Sequence, residues 1–95
     1  MINKEEGMEN PDLIEFYGTE CPHCIRMESI IKKFEKKHKT VLTKFEVWHN
    51  EENKNVLKAI PEFKQCNGVP FFYNRETKKI ICGECTLEEL ERWAK

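Results

Sequence analysis

No stretch of the sequence approaches the roughly 20 consecutive apolar residues that a bilayer span needs. A surplus of either charge is also missing. The 16 Lys and Arg and 17 Asp and Glu nearly cancel, for a net charge of −1. They are interspersed and leave no basic stripe to neutralise a row of phosphates, so neither nucleic acid nor membrane is expected as a partner. There are no internal repeats, linkers or low-complexity segments. The opening Met1-Ile2-Asn3-Lys4-Glu5-Glu6-Gly7 lacks the apolar core of a secretory signal, and a cytoplasmic location is the expectation. At 95 residues the chain suffices for one domain and not two. What is present is a regular globular composition, 39% hydrophobic and 35% charged, with apolar residues recurring in every third of the chain. The five cysteines are many for such a chain, and their odd number leaves at least one without an intramolecular partner. In a reducing compartment a Cys-x-x-Cys pair is more often redox-active or metal-binding than structural.

Residues 1–11 are polar, end in Asn10-Pro11, and are expected to form a loose arm before a domain over 12–95. Leu13-Ile14-Glu15-Phe16-Tyr17 reads as a buried strand closed by Gly18, with Glu15 as its anomaly. From Cys21 to about His38 the pattern is helical. Pro22 suits the first helical position, and Met27, Ile30, Ile31 and Phe34 share one face. Val41 to Trp48 alternates as a second strand. Asn50 caps a helix carrying Val56, Leu57 and Ile60, which Pro61 breaks before a further turn to Cys66. Val69 to Tyr73 and Lys79 to Cys82 predict a hairpin of two strands. Thr86 and Glu89 have capping-box spacing ahead of a last helix with Leu87, Leu90 and Trp93 inward. The order β-α-β-α-β-β-α predicts an α/β fold. Its four-stranded mixed sheet carries helices on both faces, with the first two strands parallel through a right-handed crossover.

The chemistry concentrates in Cys21-Pro22-His23-Cys24, which opens a helix directly after a strand. Cys21 falls at or near the helix N-cap, where unpaired N–H groups and the dipole favour a thiolate. A protonated His23 adds to that effect. Cys24 lies one turn on, close enough to attack a mixed disulfide held on Cys21. Cys21 is therefore the expected nucleophile and Cys24 the resolving thiol.

The run from Leu13 to Cys24 resembles the active-site strand and motif of thioredoxins, protein disulfide isomerase domains and glutaredoxins, and Gly68-Val69-Pro70 resembles the loop before their third strand. With the element order, the resemblance covers about residues 12–94. It implies a minimal thioredoxin fold and thiol–disulfide oxidoreductase activity with no cofactor beyond a Cys21–Cys24 disulfide. It makes Pro70 a cis-proline facing that disulfide. Val69, beside Gly68, becomes a backbone partner for an extended substrate peptide. Glu15 becomes a buried acid, with a raised pKa, that takes the proton of Cys24. Two features depart from thioredoxins. Glu20 stands where they typically have Trp, and Pro22-His23 replaces their Gly-Pro. Pro-His is the pair of bacterial periplasmic disulfide oxidases, which carry a helical insertion that this chain has no room for. The proline is shared with glutaredoxins.

Quieter readings stand beside these. Cys21-Cys24 and Cys82-Gly83-Glu84-Cys85 together have the spacing of a Cys₄ zinc site, although zinc pairs usually sit on knuckle turns. Cys82 and Cys85 are an auxiliary redox pair, metal ligands, or two reduced thiols filling a turn, the last being favoured. Cys66 is expected as packing beneath the Val69-Pro70 loop, His38 and His49 at the surface, and Trp48 and Trp93 at the core edge. The expected function is a monomeric reductant of protein disulfides recharged by a thioredoxin-reductase-like flavoenzyme. The alternatives are a glutathione-dependent, glutaredoxin-like enzyme and a non-catalytic metal- or partner-binding domain.

Overall fold

The structure, a computed structural model, describes residues 8–95. Four strands, β1 (Met8–Tyr17), β2 (Thr40–Glu46), β3 (Phe71–Asn74) and β4 (Ile80–Cys82), form one sheet in the order β2-β1-β3-β4. β1 runs parallel to β2 and antiparallel to β3, and β3 and β4 are antiparallel. The helices are α1 (Pro22–His38), α2 (Glu51–Lys58) and α3 (Leu87–Ala94), with a 3₁₀ turn over Pro61–Gln65. This is the α/β architecture that the pattern predicts.

Central position explains the composition of β1. With a neighbour on each edge and helices over each face, residues 13–16 are buried without a break. Alternation sends Leu13 into a core with Met27, Ile31 and Phe34 of α1 and Leu90 and Trp93 of α3. Ile14 and Phe16 point the other way, into a core with Val47, Leu57 and Phe71 on the α2 side. Glu15 therefore lies on the α1 face of the sheet, and that placement shapes the site.

The strand is longer than expected. Residues 8–11 belong to β1, because Met8, Glu9 and Asn10 pair with Thr40, Val41 and Leu42. Pro11 is accommodated at the register shift between Asn10 and Ile14, where a missing N–H interrupts no ladder bond. The rest of the expected arm, residues 1–7, lies outside the described residues.

Helix ends follow local rules. Asn50 caps α2 by accepting from the Asn53 N–H at 2.9 Å. Pro61 ends that helix and opens the 3₁₀ turn. Thr86 and Glu89 form the reciprocal capping box of α3.

Candidate active site

Gly18 turns the chain out of β1, and its carbonyl accepts from the Cys21 N–H at 3.1 Å. Cys21 then caps α1. Its Sγ accepts from the Cys24 N–H at 3.2 Å, with Pro22 in the first helical position. The two sulfurs thus sit at the start of one helical turn, both as free thiols. The Val69–Pro70 peptide bond is cis and lies across the motif. The Cys21 thiol donates to the Val69 carbonyl at 3.7 Å. Pro22 and His23 are exposed, whereas Cys21 itself is only 2% exposed beneath the Val69 loop. Beside Val69, a groove of about 220 Å³ runs between Trp48 and Gly68 over Leu57 and Phe63. Trp48 lies close over Gly18, where a Cβ would overlap its indole.

Beneath the motif, Glu15 and Cys24 line one cavity of about 230 Å³ with Tyr17, Ile31, Lys44 and Glu35. Its volume is ample for several water molecules. Burial pushes the Glu15 carboxyl up from 4.5 to about 7. Lys44, directly across the β1–β2 ladder, pulls the other way. Its ammonium is engaged with Glu35 at 2.6 Å, and the charges of Glu35 and Glu28 reinforce the rise. Burial, then the hydrogen bond with Cys21, pushes the Cys24 thiol to about 12. A thiol this reluctant to ionise reacts only where a base can take its proton, and Glu15 is a buried carboxylate with a pKa near neutrality lining the same cavity.

A second cluster rims the site. His23 Nδ1 is 2.6 Å from Glu84 Oε2 and 2.8 Å from Arg26 Nη2, so the three side chains meet at one ring nitrogen. Arg26 gives Glu84 a forked contact, Nη2 at 2.8 Å and Nε at 3.1 Å. Arg26 and His23 hold the Glu84 carboxyl well below the usual range, at about 2. The charge expected from His23 is thus shared with a carboxylate on the turn after β4.

The remaining cysteines sort differently from expectation. Cys82 is not a reduced thiol beside Cys85; it is joined to Cys66, with Cα atoms 5.5 Å apart. The reason is facial. Cys82 pairs across the ladder with Phe71, whose core on the α2 side also takes in Cys66. Cys85 lies in the opposite core, where its N–H donates to Met27 Sδ at 3.4 Å. Burial pushes the Cys85 thiol to about 11. Cys66 is thus a cross-link and not simple packing, and a zinc half-site from Cys82 and Cys85 is not formed. Among the described residues no three His, Cys, Asp or Glu side chains are placed to hold a metal ion.

Sequence reasoning missed Arg26, Glu84, Lys44 and Glu35. Lys44 had a readable signal, since a parallel β1–β2 pair brings some β2 residue beside Glu15. The others come together only through the fold. Of the surface histidines, His38 meets Glu91 at 2.6 Å and His49 meets Glu20 at 2.7 Å. Trp93 is buried, donating to the Lys79 carbonyl at 3.1 Å, while Trp48 is 47% exposed.

Comparison with known proteins agrees with this fold. No curated protein sequence gives a match. Among solved structures, a wheat glutaredoxin superposes with a TM-score of 0.56 at 16% identity, over 78% of this chain. The likeness is one of fold, and this chain spans 63% of that one. The family model for thioredoxin matches residues 2–95, essentially the whole sequence, and the chain belongs to the thioredoxin family.

Proposed function

We propose that the protein is a dithiol reductant of protein disulfides working through Cys21 and Cys24. The observation that carries this reading is the cap of α1, where the Cys24 N–H donates to Cys21 Sγ at 3.2 Å. A negative charge on that sulfur gains from the N–H and from the helix dipole. The Cys21 thiolate attacks one sulfur of a substrate disulfide. That S–S bond breaks, and the departing sulfur takes a proton. The substrate is then held on Cys21 as a mixed disulfide, its backbone laid along Val69 in the groove beside Trp48. Cys24 gives its proton to Glu15 across the cavity and attacks Cys21 Sγ. The second substrate sulfur leaves, the Cys21–Cys24 bond forms, and the substrate has gained two electrons.

A flavoenzyme reductase fits as electron donor better than glutathione. At the rim, where an anionic tripeptide would approach, Glu84 keeps its charge, and the Gly83 N–H is already given to the Pro70 carbonyl at 2.8 Å. The test is trapping. Cys24→Ser accumulates a mixed disulfide between Cys21 and a protein substrate, and Cys21→Ser accumulates none and reduces nothing. Full activity of Cys21→Ser would overturn the assignment. Turnover of a small mixed disulfide with glutathione would move the donor to the glutaredoxin-like alternative.

A further inference from the structure

We propose that Cys66–Cys82 is a second thiol–disulfide exchange site, one that takes electrons from an external dithiol and controls access to Cys21. Access is the first ground. Exchange requires a thiolate to reach a sulfur, and the sulfurs of Cys21, Cys24 and Cys85 all belong to buried residues. Cys82 is exposed and Cys66 half-buried, so among the five cysteines theirs is the pair with the greater exposure to an incoming thiol.

Placement is the second ground. Cys66 ends the 3₁₀ turn and leads through Gly68 into Val69, whose carbonyl sits 3.7 Å from Cys21 Sγ. Cys82 ends the edge strand β4 and leads into Gly83, which donates to the Pro70 carbonyl at 2.8 Å, and then Glu84, which holds His23 and Arg26. Both halves of the cross-link therefore run directly into the walls of the first site. Residues 68–70 form a bend outside any ladder. The cross-link to β4, the Gly83–Pro70 hydrogen bond and the Cys21–Val69 contact tie this bend over a nucleophile only 2% exposed.

A thiolate of the external dithiol attacks Cys82 Sγ, the Cys66–Cys82 bond breaks, and Cys66 leaves and takes a proton. The second thiol of the donor then attacks the mixed disulfide. Cys82 is released as a thiol, the donor departs as a disulfide, and two electrons now reside on Cys66 and Cys82. A glutathione disulfide restores the cross-link by the reverse steps. Opening it removes one tie from the bend, so the Val69 loop lifts more often and Cys21 becomes easier to reach.

The second site stands by itself, whereas the control of Cys21 rests on the function proposed above. The experiment separates the two. The full-length Cys21→Ser/Cys24→Ser variant is equilibrated with dithiothreitol at graded potentials, alkylated without denaturant, and peptide-mapped. Cys66 and Cys82 are expected to become labelled together while circular dichroism stays native and Cys85 stays unlabelled. If they stay unlabelled until the protein unfolds, or are labelled with no reductant present, there is no exchange site. Next, the alkylation rate of Cys21 is compared in Cys24→Ser and in Cys24→Ser/Cys66→Ser/Cys82→Ser. A severalfold rise, on the order of threefold to tenfold, is expected from more frequent local opening. An equal or slower rate overturns the control of access. Should the triple variant fail to fold, the rate is read in Cys24→Ser itself, on either side of the potential at which Cys66–Cys82 opens.

Discussion

Replacing Glu15 by Gln keeps the shape of the side chain and removes its ionisation, and the consequence depends on pH in a direction the structure sets. Burial raises the carboxyl from 4.5 to about 7 in the folded protein. The native state thus holds this proton more tightly than the unfolded chain. The associated stability is complete below about pH 4.5 and is lost progressively as pH climbs to about 7. At about 1.36 kcal/mol per pH unit, the rise corresponds to roughly 3 kcal/mol. Glu15→Gln should therefore match the wild type near pH 4.5 and exceed it by roughly 3 kcal/mol at pH 8. Urea unfolding at both pH values measures the gap. In the proposed mechanism the same substitution removes the base that accepts the Cys24 proton. Resolution of the mixed disulfide should slow on the order of a hundredfold at neutral pH, the low end of what a positioned base contributes. A variant that gains stability at pH 8 and resolves at the wild-type rate would leave Glu15 buried but uninvolved in proton transfer. A gap that does not change between the two pH values would refute the burial argument itself.

Other consequences are simpler to state. Glu84→Gln removes the carboxylate that Arg26 engages and leaves the guanidinium charge to favour the Cys21 thiolate, so alkylation of Cys21 at pH 6 to 7 should accelerate; a slower rate would contradict this. Removing the Cys66–Cys82 cross-link, which closes a sequence separation of 16, should lower stability by about 3 kcal/mol in urea titrations through loss of loop closure in the unfolded chain. Cys85, buried against Met27 and pushed to about 11, should resist iodoacetamide in the native protein at pH 8 and react once the chain is unfolded.

The parts of this site that local rules govern were readable in the sequence. A proline after Cys21 and a strand before it place that thiol at a helix cap, and the family resemblance puts the Glu15 acid beneath the motif. Thr86 and Glu89 announce their own capping box. The end of the expected arm at residue 11 was misplaced because Pro11 reads as a boundary, whereas the strand carries it at an irregularity in the β1–β2 pairing. The pairing of Cys66 with Cys82 was not legible because it depends on which face of β4 Cys82 occupies. Nearness in sequence pointed to Cys85, and the fold places the two on opposite sides of the sheet. The His23–Glu84–Arg26 cluster was hidden for a similar reason. It joins one turn of α1 to the turn after β4, and neither segment carries a signal for the other.

A redox titration of the wild-type chain in thiol buffers of graded potential, quenched by alkylation and mapped by mass spectrometry, reads the Cys21–Cys24 couple itself. Cys21 and Cys24 are predicted to close on each other under mild oxidation, in a two-electron step, with Cys85 still a thiol. A Cys21–Cys24 pair that never closes, while the protein remains folded, would contradict a role in dithiol–disulfide exchange.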